Sequence, residues 1–217
     1  MTRNANQKSA TPVRVHWCPT SILAFLPLHA AGLHGGTKTE STMDYMTSSY
    51  TPTLTALLGR SKDFIPSDES KMVVIVEPKS LPYSRGELVK IKEHIPSEIL
   101  TTLGDTHSNP ATISEVLRQL PTASIVHFAC HGKQDARNPL NSALILEDGE
   151  LSVMKIMQQE MRDPQLAFLS ACETATGVLE VPDESMHIAA SLLGAGFRGV
   201  VGTMWYVLTS GCVGSKF

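Results

Sequence analysis

This sequence has no apolar run long enough to cross a bilayer. Its longest, Ile22 to Leu33, contains Pro27 and His29, whereas a spanning helix needs about 20 apolar residues. No membrane partner is expected. The N-terminal "MTRNANQKSATP" lacks the apolar centre of a signal peptide. Cysteine is sparse, and Cys18, Cys130, Cys172 and Cys212 stand far apart. That usage predicts a reducing, cytoplasmic setting rather than a disulfide framework. Positive charge is not in excess: the formal net charge is -3, which leaves no electrostatic footprint for nucleic acid. Internal repeats and low-complexity tracts are absent as well.

What is present fits one globular domain. The chain has 217 residues, 42% of them hydrophobic. "VRVHW" (Val13 to Trp17) alternates as a half-buried strand does. Ser21 to Gly32 reads as mostly helical with a break at Pro27. His34 to Ser70 reads mainly as loop, with a short helix around Leu54 to Leu58. From Lys71 the pattern becomes regular. "MVVIVEP" (Met72 to Pro78) has the composition of a strand buried on both faces. The following helix places Leu88, Ile91 and Ile95 on one stripe. Thr112 and Glu115 have capping-box spacing and open a helix with Val116, Leu117 and Leu120 inward.

Ser124 to Ala129, Leu166 to Ser170 and Gly199 to Trp205 are further buried-strand runs, and Ala143 to Leu146 with the "EDGEL" turn behind it has the pattern of a short hairpin. Ser152 caps a helix expected through Met161, and Asp183 one expected over Glu184 to Leu193. Strands and helices alternate, so an α/β fold is expected: a mostly parallel sheet with helices on both faces, in three layers.

Two strand ends stand out. "SIVHFACHGK" (Ser124 to Lys133) stops on His131 and Gly132, and "QLAFLSACETATG" (Gln165 to Gly177) stops near Cys172. In open parallel sheets, functional groups collect beyond the carboxyl ends of the strands. If the two strands are neighbours, an imidazole and a thiol share one crevice. The imidazole can then assist attack by the thiol or protonate a leaving amine. The N–H groups of Gly132 and Cys172 are the corresponding oxyanion donors.

Blander roles compete with these. A lone cysteine in an apolar run is more often a packing residue. Strand parity puts His127, Ala129 and His131 on one face and Phe128 and Cys130 on the other, so Cys130 and His127 are assigned to the core or its edge. Metal binding by Cys130, His131 and Cys172 is disfavoured, because adjacent strand residues point apart and no paired-ligand spacing accompanies them. A phosphate loop fails on the order of "GLHGGTKT", and no G-x-S-x-G elbow exists. The remaining histidines form no convergent pattern. A flavodoxin-like ligand-binding domain needs only the α/β alternation and leaves both strand ends unexplained.

The pairing of "HFACHG" with "LSACETATG" resembles the CHAT domain, a caspase-like module related to separases and caspases. The likeness extends through "FLPLHAAG" (Phe25 to Gly32), "SSYTPTL" (Ser48 to Leu54), "NPLNSALILEDGELS" (Asn138 to Ser152) and "DESMHIAASLLGAGFRGVVGTMW" (Asp183 to Trp205), and is greatest to the fungal form. It implies a cysteine endopeptidase fold with His131 and Cys172 as a catalytic dyad and Gly132 at the oxyanion position. It also implies protein or peptide substrates, with cleavage of partners in programmed cell death among relatives, and regulatory helical repeats in longer ones. No cofactor and no metal are implied.

The ending departs from the family pattern. Thr209 stands where separase-like members carry an aspartate that helps recognise a basic residue, so no basic preference is expected. The expected organisation is a polar tail over residues 1–11, a caspase-like domain over 12–207 and an atypical, truncated tail over 208–217. The function expected is a caspase-like cysteine endopeptidase, impaired to the extent that the truncation matters. The alternative is a catalytically silent fragment that binds or scaffolds partners.

Overall fold

The computed structural model describes residues 12–33, 40–58, 70–79, 81–135, 138–170 and 188–203. In the N-terminal part, β1 (Val13–Trp17) is followed by two 3-10 turns, Ser21–Phe25 and Leu28–Ala30. These replace the broken helix expected there. Pro27 lies between the turns, where its missing N–H and fixed φ prevent a continuous α-helix. Next come β2 (Gly32–Leu33), β3 (Glu40–Ser41), β4 (Met46–Tyr50) and α1 (Leu54–Leu58). The short helix falls where the sequence predicts it, but β4 lies in a stretch read as loop. "MTSSY" has too little apolar content to announce a strand, and it is held instead by parallel pairing with β1, from Val13 with Met46 to Trp17 with Tyr50.

The remaining elements are β5 (Met72–Val76), α2 (Ser84–His94), β6 (Leu100–Leu103), α3 (Ile113–Gln119), β7 (Ile125–Ala129), β8 (His131–Lys133), β9 (Ala143–Leu146), β10 (Gly149–Ser152), α4 (Val153–Met157), β11 (Leu166–Leu169), α5 (Ile188–Gly194) and β12 (Gly199–Val201). Five strands form one parallel sheet in the order β12-β11-β7-β5-β6. The order reverses between β5 and β7, which makes their carboxyl ends the switch point of the sheet.

Two apolar layers enclose the sheet, because successive side chains of each strand point to opposite faces. On one face Val73, Ile75, Val126, Phe128, Ala167 and Leu169 pack under Val116 and Leu120 of the α3 region, Ile156 of α4, and Ile188 and Leu192 of α5. On the other, Met72, Val74, Val76 and Ala129 meet Leu88 of α2, with Ile91 and Ile95 beside it. This is the three-layer α/β sandwich expected of a caspase-like fold. Full burial of a side chain such as Phe128 or Ile75 contributes about 1.5–3 kcal/mol.

Local signals hold where they are specific. The Thr112 hydroxyl accepts from the Glu115 N–H at the start of α3, and the Ser152 hydroxyl accepts from the Lys155 N–H at the start of α4. Helix α4 ends at Met157, short of the expected Met161. β9 and β10 form the expected hairpin, to which β8 adds a third antiparallel strand.

The amino ends of the central strands are tied at one residue. The Ser124 N–H donates to the Lys71 carbonyl at 2.9 Å, while the Ser124 carbonyl accepts from Gln165 N–H at 2.8 Å and Leu166 N–H at 3.1 Å. At the carboxyl ends, Glu77 N–H donates to the Ala129 carbonyl at 3.0 Å and Ser170 N–H to the Phe128 carbonyl at 2.9 Å. The ladder therefore runs the full length of β5, β7 and β11, and their carboxyl ends finish level.

Candidate active site

His131 and Gly132 follow directly from β7 and enter β8, where they pair with Ile145 and Leu144. Both are half-buried. The sequence places β-branched and aromatic residues up to Ala129, so burial drives the strand to that point, and pairing with the β9–β10 hairpin then fixes the backbone of the His-Gly step. Its strand neighbour β11 runs parallel, with Leu166 opposite Ile125 and Leu169 opposite Phe128. Cys172 lies outside the described residues, as do Glu173, Asp183, the start of the helix expected from Glu184, Trp205 and Thr209.

Cys130 and His127 occupy the structural positions assigned to them. Cys130 is completely buried in the core under α3, α4 and α5. Burial, with a smaller effect of the Glu77 carboxylate, pushes its thiol pKa up to about 12, so it stays protonated and unreactive near neutrality. His127 is 6% exposed and lies on the α2 face of the sheet, stacked on Phe168 with ring centroids 4.9 Å apart.

A polar group surrounds His127. Its Nε2 lies 3.1 Å from Glu87 Oε1 but is not aligned for a directed hydrogen bond, so the pair is a charge contact when the ring is protonated. The Ser170 hydroxyl donates to the Glu87 carboxylate. Burial pushes the Glu87 carboxyl up, but His127 and the Ser170 hydroxyl together outweigh this and hold it below its ordinary value. Sequence reasoning missed Glu87. The signal was there: Glu87 precedes Leu88 and stands four residues before Ile91, so it shares the inner stripe of an amphipathic helix, where a carboxylate needs a partner.

A cavity of about 270 Å³ opens beyond the carboxyl ends of β5 and β6. Its polar lining includes Glu77, Lys79, Arg85, Asp105, His107 and Glu147. Lys79 Nζ bridges to Glu147 Oε1 at 2.5 Å, and Lys92 Nζ to Asp105 Oδ2 at 3.1 Å. The β6 side depends on Gly104, whose φ of +86° and close approach leave no room for a side chain: a Cβ there would lie 1.9 Å from the Val76 carbonyl oxygen. Among the described residues, no group of three or more His, Cys, Asp or Glu side chains is placed to hold a metal ion, and no helix is long and apolar enough to cross a membrane.

Comparison with known proteins adds an independent line. No curated protein matches the chain significantly. A solved structure of a protein from Geobacter sulfurreducens is similar over part of its length, with 18% sequence identity and a TM-score of 0.31; the match covers 51% of this chain and 53% of that one. The family profile of the CHAT domain matches residues 2–213. Nearly the whole chain is thus accounted for by one family, and the protein belongs to the CHAT domain family, with its caspase-like, peptidase-related fold.

Proposed function

We propose that this chain is a cysteine endopeptidase acting on protein or peptide substrates through His131 and Cys172. The observation that carries the reading is the register of β7 and β11. Leu169 pairs with Phe128, and Cys172 and His131 each stand three residues beyond that pair. Two level strand ends, one leading to an imidazole and one to a thiol, suit a dyad, and family membership supports it.

In the proposed reaction the Cys172 sulfur attacks the carbonyl carbon of the scissile bond as its proton passes to His131. The N–H groups of Gly132 and Cys172 stabilise the oxyanion. Collapse of the intermediate breaks the C–N bond, and His131 gives the proton to the departing amine. Water then attacks the thioester, His131 accepts its proton, and the released acid leaves a regenerated thiol. Cys130 takes no part, since its thiol is buried and its pKa is raised.

The proposal includes a reducing cytoplasmic setting, which keeps the Cys172 thiol available, and a role of the kind several family members have in programmed cell death. Thr209 gives no basis for a basic preference at the cleavage site. A broad peptide library incubated with the wild-type chain and with Cys172→Ala tests the reading: cleavage by the first alone is expected, and cleavage by both ends it.

A silent binding module is the alternative. The same library discriminates, because a silent module cuts nothing.

A further inference from the structure

The buried polar group on the α2 face serves neither the apolar core nor the proposed chemistry directly. Glu87 projects from α2 onto the sheet, where its carboxylate meets two strands: the His127 ring on β7 at 3.1 Å and the Ser170 hydroxyl at the carboxyl end of β11. His127 stacks on Phe168, which pairs with it across the two strands. Burying a histidine beside a half-buried carboxylate costs free energy unless each is partnered, and an apolar pair would pack this layer at lower cost. Placement at the carboxyl ends matters more. His131 follows His127 by four residues, and Cys172 follows Ser170 by two.

We propose that Glu87 is a positioning residue: its carboxylate joins the ends of β7 and β11 through His127 and Ser170, and so sets the spacing of the segments that carry His131 and Cys172. This rests on the peptidase reading for its functional consequence, but the bridge itself is a property of the fold. A displacement of about 1 Å between reacting groups can reduce turnover on the order of 10²-fold. The Ser170 N–H to Phe128 carbonyl bond, 2.9 Å long, lies beside the bridge and reports on it.

The test uses three variants of the whole chain: Glu87→Ala, Glu87→Gln and Ser170→Ala. Glu87→Ala removes the bridge; Glu87→Gln keeps an acceptor for Ser170; Ser170→Ala cuts the bridge from the other side and guards against a Glu87 variant that does not fold. Exchange of the amide at position 170 should accelerate by about tenfold or more in Glu87→Ala and Ser170→Ala, while Val126 stays protected. With an active wild type, kcat should fall by about tenfold or more in both at a KM within about twofold, and Glu87→Gln should recover most of it. Unchanged exchange at Ser170, or acceleration spread equally over β5, β7 and β11, overturns the proposal, as does a wild-type kcat in Glu87→Ala. A wild type that cuts no peptide defeats the peptidase reading alone, and Ser170 exchange then decides the bridge.

Discussion

Leu169 of β11 lies opposite Phe128 of β7 in a parallel ladder, and the Ser170 N–H extends that ladder to the Phe128 carbonyl. The pairing is a product of burial: both residues face the apolar layer under α3, α4 and α5, where Phe128 is completely buried and Leu169 nearly so. A shift of register would carry each strand's apolar set to the wrong face. The core therefore sets the relative height of the two strand ends from which the proposed dyad is built.

Substitution of the two cysteines should separate chemistry from packing. Cys172→Ala is expected to abolish peptide cleavage. Cys130→Ala should leave turnover largely intact and cost about 1 kcal/mol of stability, as expected for a small buried group. Initial rates and urea denaturation of both variants check this. Equal loss of activity in the two would point to packing or metal binding instead.

His131→Ala should lower kcat/KM by about 10² to 10⁴-fold, the range for a lost general acid–base group. His131 is half-buried in the short strand β8 rather than in the main sheet, so the variant should retain its fold by circular dichroism. Cleavage within a factor of about two of wild type removes His131 from the mechanism.

Gly104→Ala should destabilise the chain by more than about 2 kcal/mol, because alanine tolerates the positive φ poorly and its Cβ meets the Val76 carbonyl. The urea midpoint is the readout. An unchanged midpoint would mean that the β6 loop is not held against β5.

Acid titration should expose the Glu87 contact. Burial raises the carboxyl pKa, but His127 and Ser170 outweigh it, so the folded value lies below the ordinary 4.5. The contact then contributes stability that is present above about pH 4.5 and is lost as pH falls through the depressed folded pKa. Wild type should lose unfolding free energy more steeply than Glu87→Gln below that pH. Parallel pH dependences would show that the contact contributes nothing.

The sheet was legible where burial writes an unambiguous pattern. Met72 to Val76, Ile125 to Ala129 and Leu166 to Leu169 are apolar runs that only a strand covered on both faces needs. By contrast, β6 reads "LTTL" and β4 reads "MTSSY": neither run is apolar enough to announce a strand, and pairing with β5 and β1 decides them. Parity along β7 put Phe128 and Cys130 on one face and His127 and Ala129 on the other, as the structure does, since alternation is a geometric property of any strand; His131 lies beyond that strand, in β8. Spacing marks Glu87 as a member of the inner stripe of α2, but which side chains it meets depends on which strands α2 covers, and sequence spacing alone does not specify that.

The most direct test of the central claim is the site of reaction with a peptide-based thiol electrophile, read by mass spectrometry of the digested protein. The account predicts labelling at Cys172, retained in Cys130→Ala and slowed by about 10²-fold or more in His131→Ala, as loss of an activating base requires. Labelling that spares Cys172, or that proceeds equally well without His131, would contradict it.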